Sequence, residues 1–142
     1  MARSQPKHRA HYLPAATADL GRLEQDNHRL VVRAQALVEL IVDREIEGEE
    51  LKLLASYGDL TDCRKIYFGV TSDPTHRIVY RLLADGAIEV VEVVAVEQRE
   101  EGYVYLLAAQ RLARLPAETK KRLTRVHQGV IQRRSDSRKR QQ

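Results

Sequence analysis

The spacing of hydrophobic residues changes from a helical to a stranded period near residue 62 and returns to a helical one near residue 102. From Ala15 to Gln25, Ala16, Leu20 and Leu23 fall on one helical face. Asp26-Asn27 interrupts that run, and the Asn27 side chain can accept hydrogen bonds from the first free N–H groups of the next segment. His28 to Arg44 then repeats Leu30, Ala34, Leu37 and Ile41 at helical spacing, with Val31, Val38 and Val42 widening the stripe. A stripe that wide predicts a helix lying flat against a sheet. Ahead of the hairpin, Met1 to Arg9 is polar and reads as disordered, and His11-Tyr12-Leu13 reads as a short edge strand before Pro14. Glu45 to Asp62 reads as an acidic, irregular connection, with turns at Tyr57-Gly58-Asp59 and Thr61-Asp62.

Beyond that connection the period is 2. Arg64 to Gly69, Thr75 to Leu83 and Ala87 to Glu97 read as strands, with a hairpin turn at Asp85-Gly86. The last strand is nearly continuous valine, which predicts an interior position. Gly102 to Leu115 reads as a helix with Leu106, Ala109 and Leu112 inward. Pro116 opens another, from Ala117 to about Arg133, with Leu123, Val126, Val130 and Ile131 on one side. That order predicts an α+β domain: an N-terminal helical hairpin on one face of a curled antiparallel meander, followed by a C-terminal helix. The chain divides into a disordered basic start over 1–10, a folded domain over 11–115, and an amphipathic helix with a solvated basic tail over 116–142.

Composition narrows the chemistry. At 142 residues the chain fits one domain, and with no Trp and a single Phe its core must be aliphatic. One cysteine, Cys63, excludes an internal disulfide and a cysteine-based metal cluster. No apolar run reaches the roughly 18–20 residues that span a membrane, and the N-terminus lacks a secretory signal's apolar stretch, so the reading is a cytoplasmic protein. The net charge of +4 is unevenly spread: from Leu115 onward nine basic residues face only Glu118 and Asp136. A mildly acidic body with basic ends points to a polyanionic partner, RNA or DNA, or else to tails that serve solubility.

Asp62-Cys63-Arg64-Lys65-Ile66-Tyr67, then His76-Arg77-Ile78-Val79-Tyr80, then Gln98-Arg99-Glu100 with Tyr105 six residues after Arg99, resembles the RelE branch of the RelE/ParE toxin superfamily. The resemblance covers roughly residues 11–113. It implies the toxin of a type II toxin–antitoxin system: a ribosome-dependent endoribonuclease that cuts mRNA in the 30S A site by attack of the ribose 2′-oxygen on the adjacent phosphate. It also implies no metal or other cofactor, a cognate antitoxin as partner, and either a homodimer or a toxin–antitoxin hetero-oligomer. Such chemistry needs a proton acceptor for the 2′-OH, cations for the phosphorane and a donor for the leaving oxygen.

The resemblance assigns catalysis to Lys65, Arg77, Arg99 and Tyr105. Lys65 is expected as a base whose proton affinity is lowered by Arg77 and Arg99, and Arg77 as the fork that grips the phosphate. Tyr67 stands where the family has a second lysine, and with its neighbours it forms the RNA-binding set: Tyr67, His76, Arg64, Lys120 and Lys121. On a regular strand His76 faces away from Arg77. Two other readings remain: a ParE-like toxin that binds gyrase without catalysis, and a catalytically silent RNA- or ribosome-binding module.

Overall fold

The computed structural model describes residues 7–53, 57–85 and 88–140. Its elements are β1 (Lys7–Tyr12), α1 (Pro14–Asp26), α2 (His28–Val42), β2 (Glu49–Glu50), β3 (Cys63–Phe68), β4 (His76–Asp85), β5 (Ile88–Gln98), α3 (Tyr103–Arg111) and α4 (Lys120–Arg140). The strands form one open sheet in the order β1-β5-β4-β3-β2. β3, β4 and β5 are the expected antiparallel meander, and β5 is interior, as its unbroken valines require. The expected turn residue Gly86 lies outside the described residues.

Two features correct the sequence reading of the sheet. β1 begins at Lys7, inside the segment read as disordered, and runs parallel to β5 from Lys7↔Ile88 to Tyr12↔Val93, so the sheet is mixed. The short β2 lies within the connection read as irregular and pairs with β3, Glu49 opposite Lys65. The expected edge strand at His11-Tyr12-Leu13 is thus the end of a longer one, whose polar start carried no pattern, and β2 is too short for alternation to reveal. Gly48 sets the approach of β2. A Cβ there would lie 2.7 Å from the Lys65 carbonyl oxygen and 2.8 Å from the Tyr80 hydroxyl oxygen. Its own N–H donates to that hydroxyl at 2.7 Å.

Helices cover both faces of the sheet, not one. α1 and α2 bury Ala16, Leu23, Leu30, Ala34, Val38 and Ile41 against Phe68, Ile78, Tyr80 and Val93. α2 starts where expected, with the Asn27 side chain accepting the Arg29 N–H at 3.0 Å. On the opposite face, Val104, Ala108 and Ala109 of α3 pack on Val79, Ala95 and Cys63. The division follows from the pleat, since Val79 and its neighbours Ile78 and Tyr80 point to opposite sides. α3 is apolar almost all round because its outer side, Tyr103, Leu106 and Leu107, is covered in turn by Leu123, Val126 and Val130 of α4.

α4 also corrects the expected tail after Gln132, which is helical and buries Arg134, while Arg133, Arg138, Lys139 and Arg140 are exposed as expected. The helix continues to Arg140, and Arg134 is buried, its guanidinium donating to Glu97 at 2.7 Å and lying 2.8 Å from Asp26. Glu97 and Asp26 belong to β5 and α1, so no sequence-local pattern could have shown that Arg134 had partners. No helix among the described residues is long and apolar enough to cross a membrane.

Candidate functional site

β2, β3 and α3 enclose an open cleft of about 360 Å³ beside the short edge of the sheet. Lys65 and Tyr67 project into it from alternate positions of β3, Tyr105 enters from α3, and Glu49, Glu50 and Lys52 line the β2 side. Tyr57, from the connection before β3, closes one end. Lys65 Nζ lies 5.2 Å from the Tyr67 ring centroid and 6.0 Å from that of Tyr105. Opposite Tyr67 in the β3–β4 register is Arg77, whose Cζ stacks 3.8 Å from the Tyr67 ring centroid. Lys65, Tyr67, Arg77 and Tyr105 are therefore brought together by two strands and a helix that sequence spacing alone could not join.

The electrostatics of Lys65 differ from the sequence expectation. Partial burial works against its charged form, but the Tyr67 and Tyr105 hydroxyls and the Glu49 carboxylate outweigh that and hold its pKa above the usual lysine value. The expected crowding does not arise, because Arg77 is occupied beneath Tyr67 and Arg99 lies elsewhere. Lys65 is thus a fixed cation. Arg77 is buried, and its Nη1 donates to the carbonyls of Pro74, at 2.5 Å, and His76, at 2.8 Å. These bonds fix the guanidinium plane from one nitrogen. They also replace the cross-strand ion pair that Glu92 or Glu89 could have supplied, since those carboxylates meet Arg81 and Arg44 instead.

Five residues of the sequence-derived set are not brought to the cleft. Arg99 is half-exposed at the end of β5, 3.6 Å from Asp73. Arg64 faces the other side of β3 and holds β2 in place, donating to the Gly48 carbonyl at 2.9 Å and pairing with Glu47 and Glu50. Lys120 and Lys121 are exposed at the start of α4, and Lys120 borders a separate groove with Leu107, Leu123 and His127. His76 faces away from Arg77, as the strand alternation predicts, and its ring packs 5.4 Å from Phe68.

Burial, with the nearby Arg134 and Arg77 charges adding to it, pulls the His76 pKa down to about 4. The unfolded chain binds that proton near pH 6.5, so between pH 6.5 and 4 unfolding takes up a proton. The stabilisation from keeping His76 neutral is complete above pH 6.5 and lost as pH falls toward 4. Chemical unfolding at pH 7 and pH 4.5 should therefore show a smaller pH loss for His76→Phe than for the unaltered chain, by at most about 3 kcal/mol. Equal losses would mean that His76 is solvated in the folded state.

Two cleft residues escaped the sequence reading. Glu49 was part of an acidic run with no pattern, and its position opposite Lys65 depends on a strand pairing across fifteen intervening residues. Tyr57 read only as a turn residue. The one available signal was its place beside Gly58, whose φ of +80° sets the sharp turn that points the ring inward.

An open sheet of this strand order, with a helical hairpin on one face and a short helix on the other, defines the fold of the RelE/ParE toxin superfamily. Solved structures that share it include two toxins. One is the YoeB/ParE toxin from Agrobacterium tumefaciens, at 20% identity and a TM-score of 0.50, covering 63% of this chain and 97% of that one. The other is a double arginine-to-alanine variant of the E. coli toxin RelE in the free state, at 25% identity and a TM-score of 0.50, covering 72% of this chain and 95% of that one. No protein-family model and no curated protein sequence matches the chain.

Proposed function

We propose that this chain is the toxin of a toxin–antitoxin pair and that it cleaves mRNA on the ribosome by attack of a ribose 2′-oxygen on the neighbouring phosphate. The observation that carries the reading is the meeting, at one open cleft of a RelE-type fold, of the Glu49 carboxylate, the Lys65 cation and the Tyr67 and Tyr105 rings, with the Arg77 guanidinium stacked beneath Tyr67. Each has a task in that reaction. Glu49, across β2 from Lys65, is the group able to accept the 2′-OH proton, a role Lys65 cannot fill while it is held protonated. Lys65 offsets the charge that builds on the phosphorane, and Arg77 adds a planar fork at the floor of the site. Tyr67 and Tyr105 offer ring faces to the flanking bases, and their hydroxyls lie where a proton could be passed to the leaving 5′-oxygen.

Arg99 has a lesser part in this scheme, as a half-exposed cation at the rim that would reach substrate by leaving Asp73. The partner that restrains such a toxin is an antitoxin protein, and its gene is expected beside this one.

Induction of the chain in cells should stop translation and leave messages with 5′-hydroxyl and 2′,3′-cyclic phosphate ends, read by mapping RNA termini. Arg77→Ala should lower the cleavage rate by about a hundredfold or more, as for loss of one preorganised donor to transition-state charge. His76→Ala should have a far smaller effect. Thermal melts separate loss of chemistry from loss of fold. Ends bearing 5′-phosphates would defeat the 2′-oxygen mechanism. Uncut RNA accompanied by altered DNA supercoiling would move the chain to the gyrase-binding class.

A further inference from the structure

Cations and aromatic rings alternate along one track that extends past the reacting groups. Arg77 stacks on Tyr67 at 3.8 Å, Lys65 stands 5.2 Å from Tyr67 and 6.0 Å from Tyr105, and the Tyr105 and Tyr57 centroids are 5.8 Å apart with their planes tilted by 50°. Arg122, from the first turn of α4, then places its Cζ 5.5 Å from the Tyr57 ring. Every cation–aromatic contact among the described residues lies on this track. The chemistry above uses it only as far as Tyr105, leaving Tyr57 and Arg122 without a task.

Tyr57 packs half-buried against the apolar residues around α3 and keeps a face on the cleft, whereas Arg122 is not needed to hold the fold. α4 is docked by Leu123, Val126 and Val130 and by the Arg134 pairs to Glu97 and Asp26. On the same helix Arg133 pairs with Glu100. Arg122, by contrast, has no carboxylate partner among the described residues. Its one hydrogen bond is a long one, Nη2 to the Glu101 carbonyl at 3.3 Å, which leaves most of the fork open. Exposed Lys121 and Arg125 raise the positive potential around it. Tyr57 lies directly over Gly102: a Cβ on that residue, whose φ is +75°, would fall 2.2 Å from the Tyr57 hydroxyl oxygen, so a glycine leaves room for the ring. A ring next to an unpaired guanidinium, continuous with a reactive cleft, has the chemistry of a nucleotide site. Single-stranded RNA is held by stacking of bases on aromatic faces and by cations at the phosphates, and a guanidinium can engage two phosphate oxygens at once.

We propose that Tyr57 and Arg122 form a second nucleotide subsite, which holds single-stranded RNA flanking the cleaved bond. The flanking base rests against Tyr57 and the phosphate is bound by Arg122. The inference rests on the RNA-cleaving reading of the main cleft. It gives α4 a role in substrate binding, since that helix delivers the outermost cation of the track.

The test uses the full chain and fluorescein-labelled RNA from dinucleotide to hexanucleotide, 2′-O-methylated so that it cannot be cut, with binding read by anisotropy over a range of KCl. The unaltered chain should gain affinity as the oligonucleotide lengthens beyond the cleft. Arg122→Gln should lose that gain, on the order of tenfold, the scale of one lost base stack or phosphate contact. Its salt slope should also fall by about 0.7 log units per log unit of salt. Arg122→Lys should recover the slope. Thermal melts of both variants check that α4 stays docked, and a binding loss that tracks undocking counts against the subsite. If Arg122→Gln keeps the length dependence and salt slope of the unaltered chain, the subsite is overturned while the cleavage reading stands on its own RNA-end assay. If Arg122→Gln instead weakens binding of an acidic antitoxin and leaves RNA binding untouched, the surface belongs to a protein partner and the proposal fails. If the unaltered chain neither binds nor cuts RNA, both readings fall together.

Discussion

Replacing Asp19 by alanine is expected to destabilise the chain by about 3–5 kcal/mol, the cost of leaving a buried charge without its partner. Asp19 is fully buried on α1. Its Oδ2 accepts the Val96 N–H at 2.9 Å and Arg111 Nη1 at 2.6 Å, and its Oδ1 accepts Arg111 Nη2 at 2.8 Å and a further bond from Arg22. The reason for this cluster lies in the sheet. β1 stops pairing with β5 at Val93, where the Leu13 N–H makes the last ladder bond at 3.0 Å. Beyond that point β5 remains paired with β4 but has no strand on its β1 side, where it is covered by α1 and α3. Asp19 satisfies the Val96 N–H, and Arg111 satisfies the Val94 carbonyl at 3.0 Å. A buried backbone group left unpaired would cost about as much as a lost hydrogen bond.

Removing the carboxylate therefore strands the Val96 amide and the nearly buried Arg111 guanidinium, while Arg22 reaches solvent. Against a total stability of roughly 5–15 kcal/mol, that is enough to unfold a large share of the molecules. Asp19→Asn keeps an acceptor for Val96 and should cost less. Urea unfolding followed by circular dichroism gives both numbers. A loss under about 1 kcal/mol for Asp19→Ala would mean that water reaches the cluster and replaces the carboxylate.

The second large effect concerns which residue accepts the proton. Glu49→Gln should lower the cleavage rate by about 10²–10⁴-fold, the usual range for loss of a general base. Lys65→Arg, which keeps the charge but cannot act as a base at any working pH, should stay within about tenfold of the unaltered chain, while Lys65→Gln falls well below it. The magnitude that decides between the two residues is the fraction of neutral lysine. With an ordinary lysine pKa of about 10.4, fewer than roughly one molecule in two thousand would carry a free amine at pH 7. The surroundings of Lys65 move its pKa further up. A lysine base would thus give up over three orders of magnitude before the reaction began. Single-turnover cleavage of a short RNA, with a melt of each variant, measures the effect. A dead Lys65→Arg together with an active Glu49→Gln would return the role of base to Lys65 and remove Glu49 from the mechanism.

Local pattern was sufficient for much of the fold. The α2 stripe, the Asn27 cap, the three strands of the meander and the apolar face of α4 are all decided by neighbours within a few residues, at periods of 3.6 and 2. Sequence alternation also separated His76 from Arg77 correctly. The shared face of Lys65 and Tyr67 was legible for the same reason, since two positions along a strand must point the same way.

Tertiary structure alone decided the features that depend on distant partners. The polar start of β1, ahead of the expected strand at His11-Tyr12-Leu13, and the two-residue β2 are strands only because β5 and β3 offer backbone groups to pair with. Arg134 looked like part of a solvated tail until the fold brought Glu97 and Asp26 to it. Arg64 and Lys65 are adjacent cations in sequence, but the pleat sends one to clamp β2 and the other into the cleft. The direction in which Lys65 shifts could not be read from its neighbours in the chain. It is set by Tyr105 from α3 and Glu49 from β2, groups whose distances exist only after the sheet has closed around them. Residue types and their local spacing determined which elements form and which side chains share a face. Which of those side chains meet, and with what charge, was settled by pairings between segments far apart in the sequence, because electrostatic interactions act across space and not along the chain.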